Sequence, residues 1–102
     1  MLDRIVKYLQ NGRIVWRQHA LSRILERGIS REDVKQAISN GEVIETYSET
    51  YPYPSYLLLG YSEGQPLHIV VTVDDTQERI FIITTYVPHT THFSDDFKTR
   101  KR

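Results

Sequence analysis

Hydrophobic residues along this chain recur first with the period of a helix and then with the period of a strand. Leu2, Ile5, Val6 and Leu9 fall at i, i+3, i+4 and i+7, and Asn11-Gly12 follows, which predicts a short amphipathic helix with a defined end. Leu21, Ile24 and Leu25 are expected to form the buried stripe of a second helix closed by Gly28. The segment RIVWRQ ahead of it reads either as extended chain or as the approach to that helix. Ser30 and Asp33 have the spacing of a capping box, Val34, Ala37 and Ile38 supply the apolar side of the helix they open, and Asn40-Gly41 stops it.

From residue 42 the period becomes two. EVIETY, SYLLLGY, PLHIVVTVD and RIFIITTYVP are separated by turn-rich links such as SEGQ and DDTQE, which predicts four antiparallel strands in a meander. Leu67, Ile69, Val71 and Val73 share one face of their strand and are expected under the helices, leaving His68, Val70 and Thr72 on the other. The fold class is therefore α+β, with N-terminal helices packed on one face of a four-stranded, curved antiparallel sheet. One domain is expected over residues 1–93, followed by a polar tail, 94–102, expected to be frayed.

Composition narrows the setting. The chain has no Cys, which excludes disulfides and thiolate metal sites and gives no sign of an oxidising compartment. The start, MLDRIVKYLQNG, is interrupted by Asp3, Arg4 and Lys7 and lacks the apolar stretch of a signal peptide, and no later apolar run reaches membrane-spanning length. The expectation is a soluble cytoplasmic protein with no membrane partner. Net charge is zero, but residues 1–35 carry eight Lys/Arg against four acids, residues 36–78 carry seven acids and no Lys/Arg, and residues 79–102 carry five against two. Such a chain is not a charge-driven nonspecific nucleic-acid binder, yet one basic face can still meet a phosphate.

The stretch HALSRILERGIS carries the sharpest chemical signal. His19, Arg23 and Arg27 lie at steps of four, about 6 Å apart along a helix axis, so His19 and Arg23 can serve one phosphodiester while Arg27 reaches a neighbouring phosphate or a carboxylate. RNA cleavage by the 2′-hydroxyl needs proton transfer and a cation on the developing phosphorane charge. An imidazole, which titrates near neutrality, and a guanidinium match those needs. The same spacing also fits an ordinary solvated helix face with Glu26 as ion partner.

Other candidates are sheet-borne. His68 lies mid-strand opposite the apolar face, Thr84 and Tyr86 share a face of the last strand, and Ser55 begins the second; each also fits ordinary strand packing. Tyr47, Tyr51, Tyr53 and Tyr56 surround two prolines and either stack on unpaired bases or cover a sheet edge in a region that has acids and no cations. His89 and His92 in HTTH are spaced for one metal on a helix but stand outside any helical pattern without a third ligand, so no metal or other cofactor is expected.

The ordered set HALSRILERGIS, AISNGEVIE, YPYPSYLLLG, QPLHIVV and IITTYVP, across residues 15–93, resembles the domain of unknown function 4258 family. That family is grouped with the RelE-like toxins among the barnase-like and colicin-like ribonucleases. The resemblance implies a RelE-like fold, a metal-independent endoribonuclease toxin acting on mRNA, and a small cognate antitoxin, often one with a YgiT-type zinc finger. It implies catalytic roles for His19, Arg23, His68 and Tyr86 and substrate-binding roles for Arg27, Ser55 and Thr84. The chain departs from the pattern at Gln65, where a basic residue is common, and at Phe93, where a tryptophan is expected; the first removes a charge and the second is a packing change. A non-catalytic RNA- or protein-binding module of the same fold is the rival expectation.

Overall fold

The computed structural model describes residues 1–89 and 93–100. Three helices precede most of a five-stranded sheet: α1 (Leu2–Gln10), β1 (Ile14–Trp16), α2 (Gln18–Glu26), α3 (Arg31–Ser39), β2 (Glu42–Tyr47), β3 (Ser55–Ser62), β4 (Gln65–Asp74) and β5 (Arg79–Tyr86). The sheet order is β1-β5-β4-β3-β2. The expected four-strand antiparallel meander forms from β2 to β5, and β1 adds a fifth strand parallel to β5, so the sheet is mixed. In RIVWRQ, Ile14, Val15 and Trp16 pair with Ile80, Phe81 and Ile82, more than sixty residues later, a partnership no local period announces.

The helices end where the local chemistry dictates. Ser30 Oγ accepts from the Asp33 backbone N–H (3.0 Å) and Asp33 Oδ2 accepts from that of Ser30 (2.8 Å), closing a reciprocal capping box on α3. Beyond α2, Gly28 adopts φ +76°, a left-handed conformation that a side chain would disfavour.

The core lies between the helices and one sheet face. Ile5, Ile24, Val34, Ala37 and Ile38 meet Tyr56, Leu58, Leu67, Ile69, Val71, Val73, Ile80 and Ile82, all buried. The alternation in PLHIVVTVD therefore reads correctly. Leu25, by contrast, is 52 % exposed, so the second helix buries Ile24, keeps Leu21 half-buried and leaves Leu25 in solvent. The nine-residue α2 lies along a sheet edge, where a narrow stripe suffices to cover β5.

A bulge decides which β5 side chains face away from the helices. Ile82 pairs with Val71 and Thr84 with Val70, so Ile83 is the extra residue. Strict alternation would send Thr84 and Tyr86 to the core with Ile80 and Ile82. The extra residue instead puts Thr85 there, buried with its Oγ1 unpartnered among the described residues, and turns Thr84 and Tyr86 to the opposite face beside Val70 and His68.

Candidate functional site

Arg17, in extended conformation (φ −71°, ψ 136°), turns the chain from β1 into α2. Ile24 anchors the helix in the core, while His19, Arg23 and Arg27 are exposed. Arg23 Nε donates to His19 Nε2 at 3.1 Å, so that imidazole nitrogen acts as an acceptor. Arg27, directly after the helix, donates from Nη1 to Thr84 Oγ1 (3.1 Å) and to the Thr85 carbonyl (2.8 Å). β1 pairs β5 only from Ile80 to Ile82, which leaves the continuation of β5 free to receive this guanidinium. The expected stripe thus exists, with its C-terminal member tied to the sheet.

Tyr86 and His68 are direct neighbours across β5 and β4. His68 is fully buried; its Nε2 donates to the Phe97 carbonyl at 2.7 Å and its Nδ1 accepts from the Tyr86 hydroxyl at a long 3.4 Å. Phe93 meets the imidazole edge-on, with ring centroids 4.5 Å apart. Burial pushes the His68 pKa down, opposed by the Phe97 hydrogen bond and the Glu45 carboxylate, so the ring is neutral at pH 7. Burial also pushes the Tyr86 phenol up and keeps it protonated.

Residues 93–100 supply that cover. Arg100 donates to both oxygens of Glu45 (2.7 and 3.0 Å), Lys98 pairs with Glu42 at 2.7 Å, and the Arg100 guanidinium lies 4.9 Å from the Phe93 ring centroid. The Arg100 hydrogen bond, with a second from the Tyr47 hydroxyl, holds the Glu45 carboxyl below the usual range despite its partial burial. Phe93 is accordingly a buried packing residue.

Arg27 and Tyr86 line one open cleft of about 500 Å³ together with Val87 and His89. Thr84 belongs to it through Arg27. Ser55 does not: its Oγ shares a 2.9 Å hydrogen bond with Thr72, and in the β3–β4 register it lies four residues from the Leu59–His68 pair, about 13 Å along the strand. Gln65 is exposed at the β3–β4 turn. His92 lies outside the described residues, and among those residues no group of three His or carboxylate side chains is placed to hold a metal. No helix is long and apolar enough to cross a membrane.

The stripe arginines are among the cations that lack a carboxylate partner. Among the described residues, ion pairs join Arg4 to Asp75, Lys35 to Glu32, Arg79 to Asp74, Lys98 to Glu42 and Arg100 to Glu45. Arg17, Arg23 and Arg27, like Lys7, Arg13 and Arg31, have no carboxylate within 4.0 Å among the described residues, and Glu26 is not the counter-ion its spacing suggests. Reading the sequence alone overlooks Arg17, whose only cue is its place two residues before His19. It also overlooks Phe97 and Arg100, whose cues are absent because their partners are distant in the chain.

A family model described as Domain of unknown function (DUF4258) matches residues 16–87, a span that contains His19, Arg23, Arg27, Ser55, His68, Thr84 and Tyr86. No curated protein and no solved structure matches the chain.

Proposed function

The chain belongs to the DUF4258 family, and from that premise we propose that it is a RelE-like endoribonuclease, the toxin of a toxin–antitoxin pair, cutting mRNA in the cytosol without a metal. The observation that carries the reading is the pairing of His19 with Arg23 on an exposed helix face whose arginines have no carboxylate partner among the described residues. Guanidinium groups not already committed to a carboxylate can meet the phosphates of a polyanion, and Arg23 and Arg27 do so beside an imidazole in this reading.

In the proposed reaction the substrate 2′-hydroxyl displaces Arg23 from His19 Nε2 and gives that nitrogen its proton. The O2′–P bond forms as the P–O5′ bond breaks, leaving a 2′,3′-cyclic phosphate, and the departing O5′ takes a proton from water. The displaced Arg23 guanidinium meets the phosphorane charge. Arg27, braced by Thr84, holds an adjoining phosphate, and the neutral Tyr86 phenol donates a hydrogen bond from the cleft. His68, buried behind Tyr86, is a positioning residue in this scheme. The partner that blocks the enzyme in its own cell is a small antitoxin, of the YgiT zinc-finger type that the resemblance implies.

The test is induced expression of wild type and His19→Ala in a host lacking the partner, with growth and RNA 5′-hydroxyl ends read together. Growth arrest with new 5′-hydroxyl ends from wild type alone supports the reading. Cleavage by a folded His19→Ala protein removes His19 from the chemistry, and intact RNA with soluble wild type removes the activity.

A non-catalytic binding module of the same fold is the second reading. It is favoured by the complete burial of His68, which keeps the sheet-borne imidazole from touching any substrate while residues 93–100 are seated.

A further inference from the structure

At the N-terminal end of α2, on the sheet face away from the core, Arg17, Tyr51, Tyr53, Thr72, Phe81 and Ile83 enclose a mainly apolar groove of about 230 Å³. Its parts come from three distant segments: the β1–α2 junction, the Pro-rich β2–β3 loop, and the paired strands β4 and β5. The bulge makes Ile83 an unpaired β5 residue, and it is 43 % exposed. Tyr51 is 92 % exposed, so its ring covers no part of the core. The Arg17 guanidinium lies 5.2 Å from the Phe81 ring centroid, with no carboxylate partner among the described residues.

We propose that this groove is a nucleotide subsite that takes an unpaired base of a single-stranded RNA between the Tyr51–Tyr53 loop and Phe81, with Arg17 on the phosphate. The β2–β3 loop taken by itself argues against a polyanion, because its segment carries acids and no cations. The fold reverses that argument by bringing Arg17 to the loop's tyrosines. The exposed Tyr51 ring and the half-buried Tyr53 and Phe81 rings lie beside a guanidinium without a carboxylate partner among the described residues, and aromatic faces with a cation are the two components with which proteins hold single strands: π-faces for the bases and a cation for the backbone. Thr72 Oγ1, already shared with Ser55 Oγ at 2.9 Å, gives the groove a hydroxyl wall. The position also suits a strand passing the helix. Arg17 is two residues before His19, and Arg23 and Arg27 follow at about 6 Å intervals along the axis, so a strand anchored in the groove runs beside the proposed scissile position. The subsite deepens the ribonuclease reading and rests on it for the choice of RNA.

The experiment measures binding of a short, mixed-sequence single-stranded RNA with 2′-O-methyl sugars, which cannot be cleaved by 2′-hydroxyl attack, by fluorescence anisotropy over a salt series. Cleavage of the corresponding unmodified RNA is followed separately. Tyr51→Ala weakens binding at least about fivefold with the salt slope unchanged, Tyr51→Phe retains wild-type binding, and duplex RNA gains nothing from the ring. Arg17→Ala weakens binding and lowers the salt slope by about 0.7. If Tyr51→Ala and Arg17→Ala bind as wild type does, the subsite is overturned while the ribonuclease reading stands or falls on cleavage. If wild type binds in the expected way but never cleaves unmodified RNA, the subsite holds and the ribonuclease reading fails. Wild type that binds no single-stranded RNA overturns the subsite directly.

Discussion

The backbone carbonyl of Phe97 accepts a 2.7 Å hydrogen bond from Nε2 of His68, twenty-nine residues away on a strand it does not pair with. That bond fixes the His68 proton on Nε2 and turns Nδ1 toward Tyr86. Phe97, within the segment 94–102 expected as a polar tail, thereby fixes the tautomer of a histidine inside the sheet.

Stability should fall through mild acid because of this histidine. Its folded pKa lies below the ordinary value of 6.5, so below about 6.5 the unfolded chain takes up a proton that the folded chain refuses. The stabilisation is therefore complete above that value and is lost as pH falls through the folded pKa. Urea unfolding at about pH 7.5 and about pH 5.5 should show a drop for wild type and a smaller one for His68→Gln, whose amide does not titrate in that window. Equal drops would mean that another group carries the effect.

Breaking the clasp at Arg100 should loosen His68 without unfolding the protein. The Arg100–Glu45 contact is bidentate but sits at the surface on the arginine side, with 57 % of that side chain exposed, so Arg100→Ala should cost no more than about 1 kcal/mol. Its local effect should be larger than its global one: the His68 imidazole, followed by NMR titration, should move up toward its ordinary pKa as water reaches it. An unchanged His68 titration would show that Phe93 and Phe97 hold the cover without the ion pair.

Much of this fold is legible locally. The spacing of Ser30 and Asp33 announces a capping box because the two groups satisfy each other's backbone N–H, and the period of PLHIVVTVD names the core face because the strand is buried there by helices. What stays hidden depends on pairing across the chain. The three residues of β1 are too few to show a period, and their parallel partner is β5. The bulge at Ile83 has no sequence marker, yet it carries Thr84 and Tyr86 from the core face to the open one. The His19, Arg23 and Arg27 stripe is legible from its spacing, whereas its lack of counter-ions among the described residues is not, since Glu26 stands at a plausible distance in sequence and pairs with none of them.

Gly60 is a packing requirement that the sequence hides in the run YLLLGY. Its position on the core face of β3 brings the strand against α3, where an added Cβ would collide with the Ala37 carbonyl. Because the obstacle is helix backbone, no side chain can swing aside, and Gly60→Ala should destabilise by about 1–3 kcal/mol or more. The comparison is Gly64→Ala, where nothing lies within 4 Å and the only cost is a left-handed φ of +82°. Chemical denaturation should rank Gly60→Ala as the worse of the two; the reverse order would mean that the β3–α3 contact is looser than this spacing requires.

Arg23 offers the sharpest separation between charge and geometry. If its guanidinium meets the phosphorane after leaving His19, Arg23→Ala should lower single-turnover cleavage by about 10²–10³, a range that overlaps the about 10²–10⁴ expected for loss of His19 as the base. Lysine restores a cation but not the planar fork that donates from Nε to His19 Nε2, so Arg23→Lys should recover only part of the rate. The double variant His19→Ala/Arg23→Ala should fall far short of the product of the single losses, because the two groups serve one transition state. Full recovery by lysine would reduce Arg23 to a diffuse phosphate anchor. Strictly multiplicative losses would mean that the 3.1 Å hydrogen bond joins two groups acting independently.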